Sequence, residues 1–264
     1  IYVNQTTNSL FEDLELYNAF ARGIQAQSSG IAASGNTFRR LNAHNNGAQG
    51  IAMNSGVGNI IEYCLSWLNG SCGIHFLGGS GHFAYNNSCY GNNTDSSAAQ
   101  VQVDADTPNC TLRNNISLAG ENSNWSLNGA NTTQSNNVIS GTAANIWTDP
   151  ANGDFTLKNT AGTPHADVTS LIIDKGTSVG LGVDYYGTSV PQGVAVDIGA
   201  TEWGSDPPDA PIATHNPTYT VSTIYGDVAV TLVKGTNNIV ECTLSGTGAA
   251  ALCVDNTNVT VVRN

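Results

Sequence analysis

Hydrophobic and polar positions along the first half of the chain recur in short blocks. Phe11-Glu12-Asp13-Leu14-Glu15-Leu16-Tyr17-Asn18, Phe38-Arg39-Arg40-Leu41-Asn42-Ala43-His44-Asn45 and Ile61-Glu62-Tyr63-Cys64-Leu65-Ser66-Trp67-Leu68 share one pattern. Two looser copies follow at Ala84–Tyr90 and Leu112–Leu118. Twelve positions after each of the first three starts stands a Gly-Ile pair: Gly23-Ile24, Gly50-Ile51 and Gly73-Ile74. A period of roughly 25 residues signals a solenoid. Each apolar run is brief and is broken by Asn, Gly and Ser, which excludes helical repeats and predicts short strands joined by tight turns. The first, fourth and sixth positions of each block are apolar or small, with a bend between the first and fourth. The pattern therefore predicts an all-β fold, a parallel β-helix with one coil per repeat and equivalent residues stacked about 4.8 Å apart.

Stacking gives the polar positions a meaning. The fourth position reads Leu14, Leu41, Cys64, Asn87, Asn115, so an inward amide ladder should continue where the aliphatic column stops. The second and third positions read Glu12/Asp13, Arg39/Arg40, Glu62/Tyr63, Tyr85/Asn86 and Arg113/Asn114. Acid, base and acid on adjacent coils attract, which assigns two of the chain's few arginines to structure. The seventh position reads Tyr17, His44, Trp67, Tyr90. Facing outward it forms a stacked aromatic strip suited to sugar rings or protein surfaces, unless residues 152–204 cover it.

The grammar changes near Asn152. Asp154-Phe155-Thr156-Leu157, Ile173-Asp174-Lys175-Gly176 and Asp197-Ile198-Gly199-Ala200-Thr201-Glu202-Trp203 resemble the C-terminal region of secreted bacterial right-handed parallel β-helix proteins of the polysaccharide-lyase-like superfamily. That region reads approximately D-[FY]-x-L, I-D-x-G and D-I-G-A-x-E-[YFW]. The resemblance covers residues 8–204. It departs at an insertion between Gly162-Thr163-Pro164 and Ile173, where Ser-Pro-Ala ordinarily precedes I-D-x-G. It implies a right-handed solenoid and secretion but no particular chemistry, because the superfamily spans lyases, hydrolases, adhesins and structural proteins. The organisation expected is β-helix coils over 1–148, a cap over 149–204, a Pro-rich linker over 205–218 and a β segment over 219–264. The last ends in Asn258-Val259-Thr260-Val261-Val262-Arg263-Asn264, which reads like the start of a coil. That segment is expected to stack on residues 1–20, either of its own chain or of a neighbour in a filament; a small separate β domain is the alternative.

The chain has 264 residues and a formal charge of −12, with 8 Lys plus Arg. Such a balance argues against nucleic acid and anionic membranes as partners, and no apolar run is long enough to span a bilayer. Six cysteines suit an oxidising, extracellular or cell-surface location. Cys242 and Cys253 are disulfide candidates; the pairing of Cys64, Cys72, Cys89 and Cys110 stays open. Sequons occur at Asn4, Asn69, Asn86, Asn92, Asn109, Asn115, Asn124, Asn131 and Asn258, each an N-glycosylation candidate. Asp104 and Asp106 near Asp95 offer oxygen ligands for calcium, although a turn-stabilising role is the simpler reading, and no cofactor is expected. His44 and His75 have no carboxylate partner that spacing alone identifies, and the carboxylates Glu12, Asp13, Glu15 and Glu62 read as ladder charges, so no catalytic residue is assigned. These features predict an extracellular structural protein that self-associates through strand stacking. A polysaccharide-degrading lyase or glycoside hydrolase, or a glycan-binding adhesin, is the alternative.

Overall fold

The computed structural model describes residues 1–27, 32–94, 98–120 and 123–205, together with the backbone of four later strands. The chain winds as a parallel β-helix with three sheets. The first contains β1 (Tyr2–Asn4), β4 (Ile24–Gln27), β7 (Ile51–Met53), β10 (Ile74–Phe76), β13 (Ala99–Val103) and β16 (Ser123–Leu127). The second contains β2 (Leu10–Glu12), β5 (Thr37–Arg39), β8 (Ile60–Glu62), β11 (Phe83–Tyr85), β14 (Thr111–Arg113) and β17 (Thr133–Ser135). The third contains β3 (Glu15–Tyr17), β6 (Asn42–His44), β9 (Leu65–Trp67), β12 (Ser88–Tyr90) and β15 (Ile116–Leu118).

The register follows the sequence blocks. Phe11 pairs with Phe38, Phe38 with Ile61, Ile61 with Ala84 and Ala84 with Leu112. The first two rings stack at 5.1 Å with an 8° interplanar angle, fully buried. Between the second- and third-sheet strands each coil turns on one left-handed residue: Asp13, Arg40, Tyr63, Asn86, Asn114 and Asn136 all have φ between 46° and 58°. Asn tolerates that region best, which explains why the column drifts toward Asn. The inward fourth column runs as anticipated. Cys64 N–H donates to Asn87 Oδ1 (2.9 Å), Asn87 Nδ2 to Asn115 Oδ1 (2.9 Å) and Asn115 Nδ2 to Asn137 Oδ1 (3.0 Å).

A second inward ladder, absent from the expectations above, runs Asn46, Asn69, Asn92, Gln100, Asn124. Its links are 2.9, 2.8, 3.1 and 2.9 Å. A third joins Asn36 Nδ2 to Asn59 Oδ1 (3.2 Å), and Asn59 N–H to His82 Nδ1 (3.3 Å). These ladders revise the sequons. Asn69, Asn92 and Asn115 are buried with their amides engaged, and Asn86 is buried holding the cap. Asn124 closes the second ladder. In the folded chain these amides serve as ladder and cap partners. Asn109 and Asn131 are the exposed sequons, Asn4 is half-buried, and Asn258 lies outside the described residues.

The cap comprises α1 (Ala143–Ile146), β18 (Trp147–Asp149) antiparallel to β19 (Asp154–Leu157), the short pair β20 (Asn159–Thr160) and β21 (Thr163–Pro164), and α2 (Ala166–Leu171). It seats on the left-handed column. Asn86 Nδ2 donates to Asp197 O and Gly199 O, and Asn114 Nδ2 to Thr177 O. Gly199 has φ +100°, and a Cβ there would lie 2.6 Å from Ile116 Cδ1, so only glycine fits. The three motif segments converge. Asp197 accepts from Asp174 N–H (2.8 Å) and Trp203 N–H (2.6 Å), Glu202 from Asp197 N–H (2.9 Å), and Phe155 O from Thr201 Oγ1 (2.9 Å).

Beyond the cap, β22 (Ala229–Lys234) and β23 (Val240–Ser245) pair antiparallel. β24 (Cys253–Val254) pairs parallel with β1, and β25 (Thr260–Val262) with β2. The side chains of Cys242 and Cys253 lie outside the described residues. Among the described residues Cys64, Cys72, Cys89 and Cys110 are free and buried. Burial raises the Cys64 thiol to about 12 and Cys72 to about 11, so these are inert core thiols.

Candidate functional site

Three outward faces bear on function. The second sheet carries the charge ladder. Arg39 Nε meets Glu62 Oε1 at 2.7 Å and its Nη1 meets Glu12 Oε1 at 3.3 Å, while Arg40 meets Glu12 at 2.5 Å and Asp13 at 2.7 Å. Farther along, Arg113 lies 5.9 Å from the centroid of Tyr85. The carboxylates considered for hydrolysis are thus held by guanidinium groups, and Glu15 faces His44 (3.2 Å).

The third sheet carries the aromatic strip. Tyr17, His44 and Trp67 stack with centroids 5.3 and 4.4 Å apart and interplanar angles of 4° and 12°. The cap covers its later half. Phe155 lies 6.4 Å from Trp67 and 6.5 Å from Tyr90, Trp147 meets Tyr90 edge-on at 6.3 Å, and Gly153 passes against the Trp67 ring. Trp67 is 7% exposed and Tyr17 56%. The four residues do share a column; Tyr17 is its exposed end, His44 and Tyr90 are half-buried and Trp67 is buried.

The first sheet holds the arrangement that sequence reasoning missed. Along its outer face one chain of side-chain hydrogen bonds crosses five neighbouring coils. Tyr2 Oη and Gln25 Nε2 both donate to Gln27 Oε1 at 2.5 Å. Arg22 donates to Gln25 Oε1 (2.7 Å) and, through Nε, to Gln49 Oε1 (2.6 Å). Gln49 Nε2 faces His75 Nδ1 at 3.5 Å, His75 Nε2 faces Asp104 Oδ1 at 3.1 Å, and Gln102 donates to the same oxygen at 2.7 Å. An amide donor at Nδ1 leaves the imidazole proton on Nε2, toward the carboxylate. Burial lowers the His75 pKa, with Asp104 opposing that shift. His75 thus has the carboxylate partner that spacing failed to supply. Cys72 lies nearby, its sulfur 3.8 Å from Gln102 Oε1, and its raised pKa removes it from nucleophilic chemistry. Arg22 makes no ion pair among the described residues; two glutamine carbonyls orient it instead. Gln25 and His75 form a nearly buried floor, while Arg22, Tyr2, Gln27, Gln102 and Asp104 stand half-exposed above it.

Asp104 is therefore engaged with His75 and Gln102, Asp106 is exposed, and Asp95 lies outside the described residues. Among the described residues no group of three His, Cys, Asp or Glu side chains is placed to hold a metal ion.

The family model described as "Right handed beta helix region" matches residues 1–161. The chain belongs to this right-handed β-helix family. No curated protein matches it. Among solved structures it is similar to the A-module of the Azotobacter vinelandii mannuronan C-5 epimerase AlgE4, at 14% identity and a TM-score of 0.44, over 53% of this chain and 45% of that one. It is similar to the periplasmic alginate epimerase AlgG at 19% identity and a TM-score of 0.38, over 45% and 28%. It is also similar to pectate lyase Pel9A at 15% identity and a TM-score of 0.39, over 76% and 68%. The chain thus spans less than half of either epimerase. Likenesses this distant carry no inference about substrate.

Proposed function

We propose that this β-helix is an extracellular glycan-binding protein that holds a polysaccharide along the outer face of its first sheet. The observation that carries the reading is the continuous network from Tyr2 to Asp104. The half-exposed Tyr2, Arg22, Gln27, Gln102 and Asp104 offer a phenol, a guanidinium, amides and a carboxylate across consecutive coils, and the buried Gln25 and His75 beneath hold them in order. A hydroxyl-rich polymer lying along the solenoid axis meets such groups repeatedly, and their mutual bonds hold them in place before binding, which reduces the ordering cost. The −12 net charge repels a uniformly anionic polymer, so the ligand class is a neutral or sparsely charged glycan, with Arg22 placed for an occasional acid group. Titration against soluble neutral and uronic polysaccharides tests this, with reducing-end and unsaturated-product assays on the same samples. Binding to a neutral glycan that weakens about tenfold or more in Arg22→Ala supports the reading. Absence of binding across the panel refutes it, and product release lost in His75→Ala would make the protein an enzyme.

A second reading, self-association by strand stacking, is favoured by one observation: β24 and β25 extend the first and second sheets past the first coil in parallel register. Backbone pairing of that kind is equally available between chains. Electron microscopy and light scattering of the purified protein test it.

A further inference from the structure

Among the described residues, the added coil at the start of the solenoid covers two of the three sheets. β24 and β25 cover β1 and β2, with Tyr2 opposite Cys253, Val3 opposite Val254, and Leu10 to Glu12 opposite Thr260 to Val262. The third sheet receives no equivalent strand among the described residues: its order ends at β3. Tyr17, on that uncovered edge, is 56% exposed, and Phe20 in the following turn is fully exposed. The two strands therefore close the end through short backbone pairings on two sheets of three.

Their tether does not confine them to their own chain. The cap sits over Asn86 and Asn114, beside β11 and β14. Four strand spacings separate β14 from β2, about 19 Å at about 4.8 Å each. Residues 206–252 join the cap to β24. Half of them, extended at about 3.3 Å each, span roughly 75 Å. That contour length exceeds the distance to be bridged, so it allows pairing with the first coil of the same or of an adjacent molecule, and the two pairings are chemically identical. Effective concentration alone decides between them.

We infer that β24 and β25 exchange between copies, so that the first coil of each chain is an acceptor for the C-terminal strands of a second copy. The inference rests on the self-association reading and specifies its surface. Exchange between two chains closes a dimer, and exchange handed onward builds an open chain. The partner is this same polypeptide, recognised by parallel backbone hydrogen bonding.

One substitution tests it. Tyr2→Cys puts a cysteine at the position registered with Cys253, at the Cα separation of paired parallel strands, which falls in the range that disulfides span. Oxidation over a range of protein concentrations, followed by non-reducing electrophoresis, should give covalent dimers and higher species whose share rises with concentration. Looped monomer alone at every concentration overturns the exchange, and so does an absence of any new bridge. Two differently tagged unmodified chains, mixed at about millimolar concentration, should co-purify. Val261→Pro, which removes a β25 donor, should abolish this. If assemblies of the unmodified protein persist in Val261→Pro, self-association stands and strand exchange falls; if nothing associates, both fall.

Discussion

Replacing Asn115 with alanine probes the amide ladder at its centre. Asn115 is 1% exposed. Its Oδ1 accepts from the Asn87 N–H (3.0 Å) and Asn87 Nδ2 (2.9 Å), and its Nδ2 donates to Ala84 O (2.9 Å) and Asn137 Oδ1 (3.0 Å). Alanine removes four hydrogen bonds; Asn87 Nδ2 keeps Ile61 O and Asn137 Oδ1 keeps the backbone N–H of residue 115, but the buried Asn87 N–H loses its Oδ1 acceptor. An unsatisfied buried N–H costs about 1–3 kcal/mol and the other lost bonds add less, for a loss of about 3 kcal/mol. That is a large fraction of an ordinary domain's stability. Leu112→Ala, which removes a fully buried side chain of the neighbouring column, should cost about 2–5 kcal/mol through cavity formation, so the amide should matter as much as the apolar residue. Urea denaturation followed by far-ultraviolet circular dichroism measures both. A loss below about 1 kcal/mol for Asn115→Ala, with Leu112→Ala behaving as expected, would refute the idea that the ladder is a principal stabiliser.

Other outcomes follow from the cap and the aromatic strip. Burial raises the Glu202 carboxyl to about 7. Its native pKa lies above the unfolded value near 4.5, so its contribution is fully present below pH 4.5 and is lost as pH rises through 7, about 3 kcal/mol in total. Melting temperature should fall between pH 5 and 8, and Glu202→Gln should flatten that slope. Gly199→Ala combines a left-handed backbone with a 2.6 Å approach to Ile116 and should cost about 2 kcal/mol or more, read as faster proteolysis of the cap. Trp67→Ala empties a site beneath the cap and should cost about 3–5 kcal/mol while leaving glycan binding intact. Tyr17→Ala should change neither stability nor binding measurably.

Local grammar carried most of the architecture. Phe11, Phe38 and Ile61 could be aligned by eye because their blocks share apolar spacing and a following Gly-Ile, and alignment fixes the stacking of Glu12 on Arg39. The cap was legible through the resemblance of its three motifs to a known C-terminal region; in the structure Asp197 accepts from the Asp174 N–H and Glu202 from the Asp197 N–H. The second amide ladder was not read, because Asn69 and Asn92 sit in sequons and a sequon says nothing about which way its side chain points. The His75–Asp104 pair was missed for a different reason. The coil lengthens near Thr94, and the partner comes from the following coil, displaced by two residues along the strand. Extending the Gly73-Ile74 register to Gln100-Val101 places His75 beside Gln102 and Asp104 just beyond, so the signal existed in the alignment of coils. What no alignment conveys is the cap's reach. Trp67 and Tyr90 match Tyr17 in sequence, yet Phe155 and Trp147 return from far along the chain to cover them.

The central functional claim is that a glycan lies along the first sheet. Hydrogen–deuterium exchange of the protein, alone and saturated with the polysaccharide that binds best, tests it most directly. The account predicts added protection in peptides covering 22–27, 49–54 and 74–76. Protection confined to the third-sheet strip at 15–18 and 42–45, with the first sheet unchanged, would contradict it.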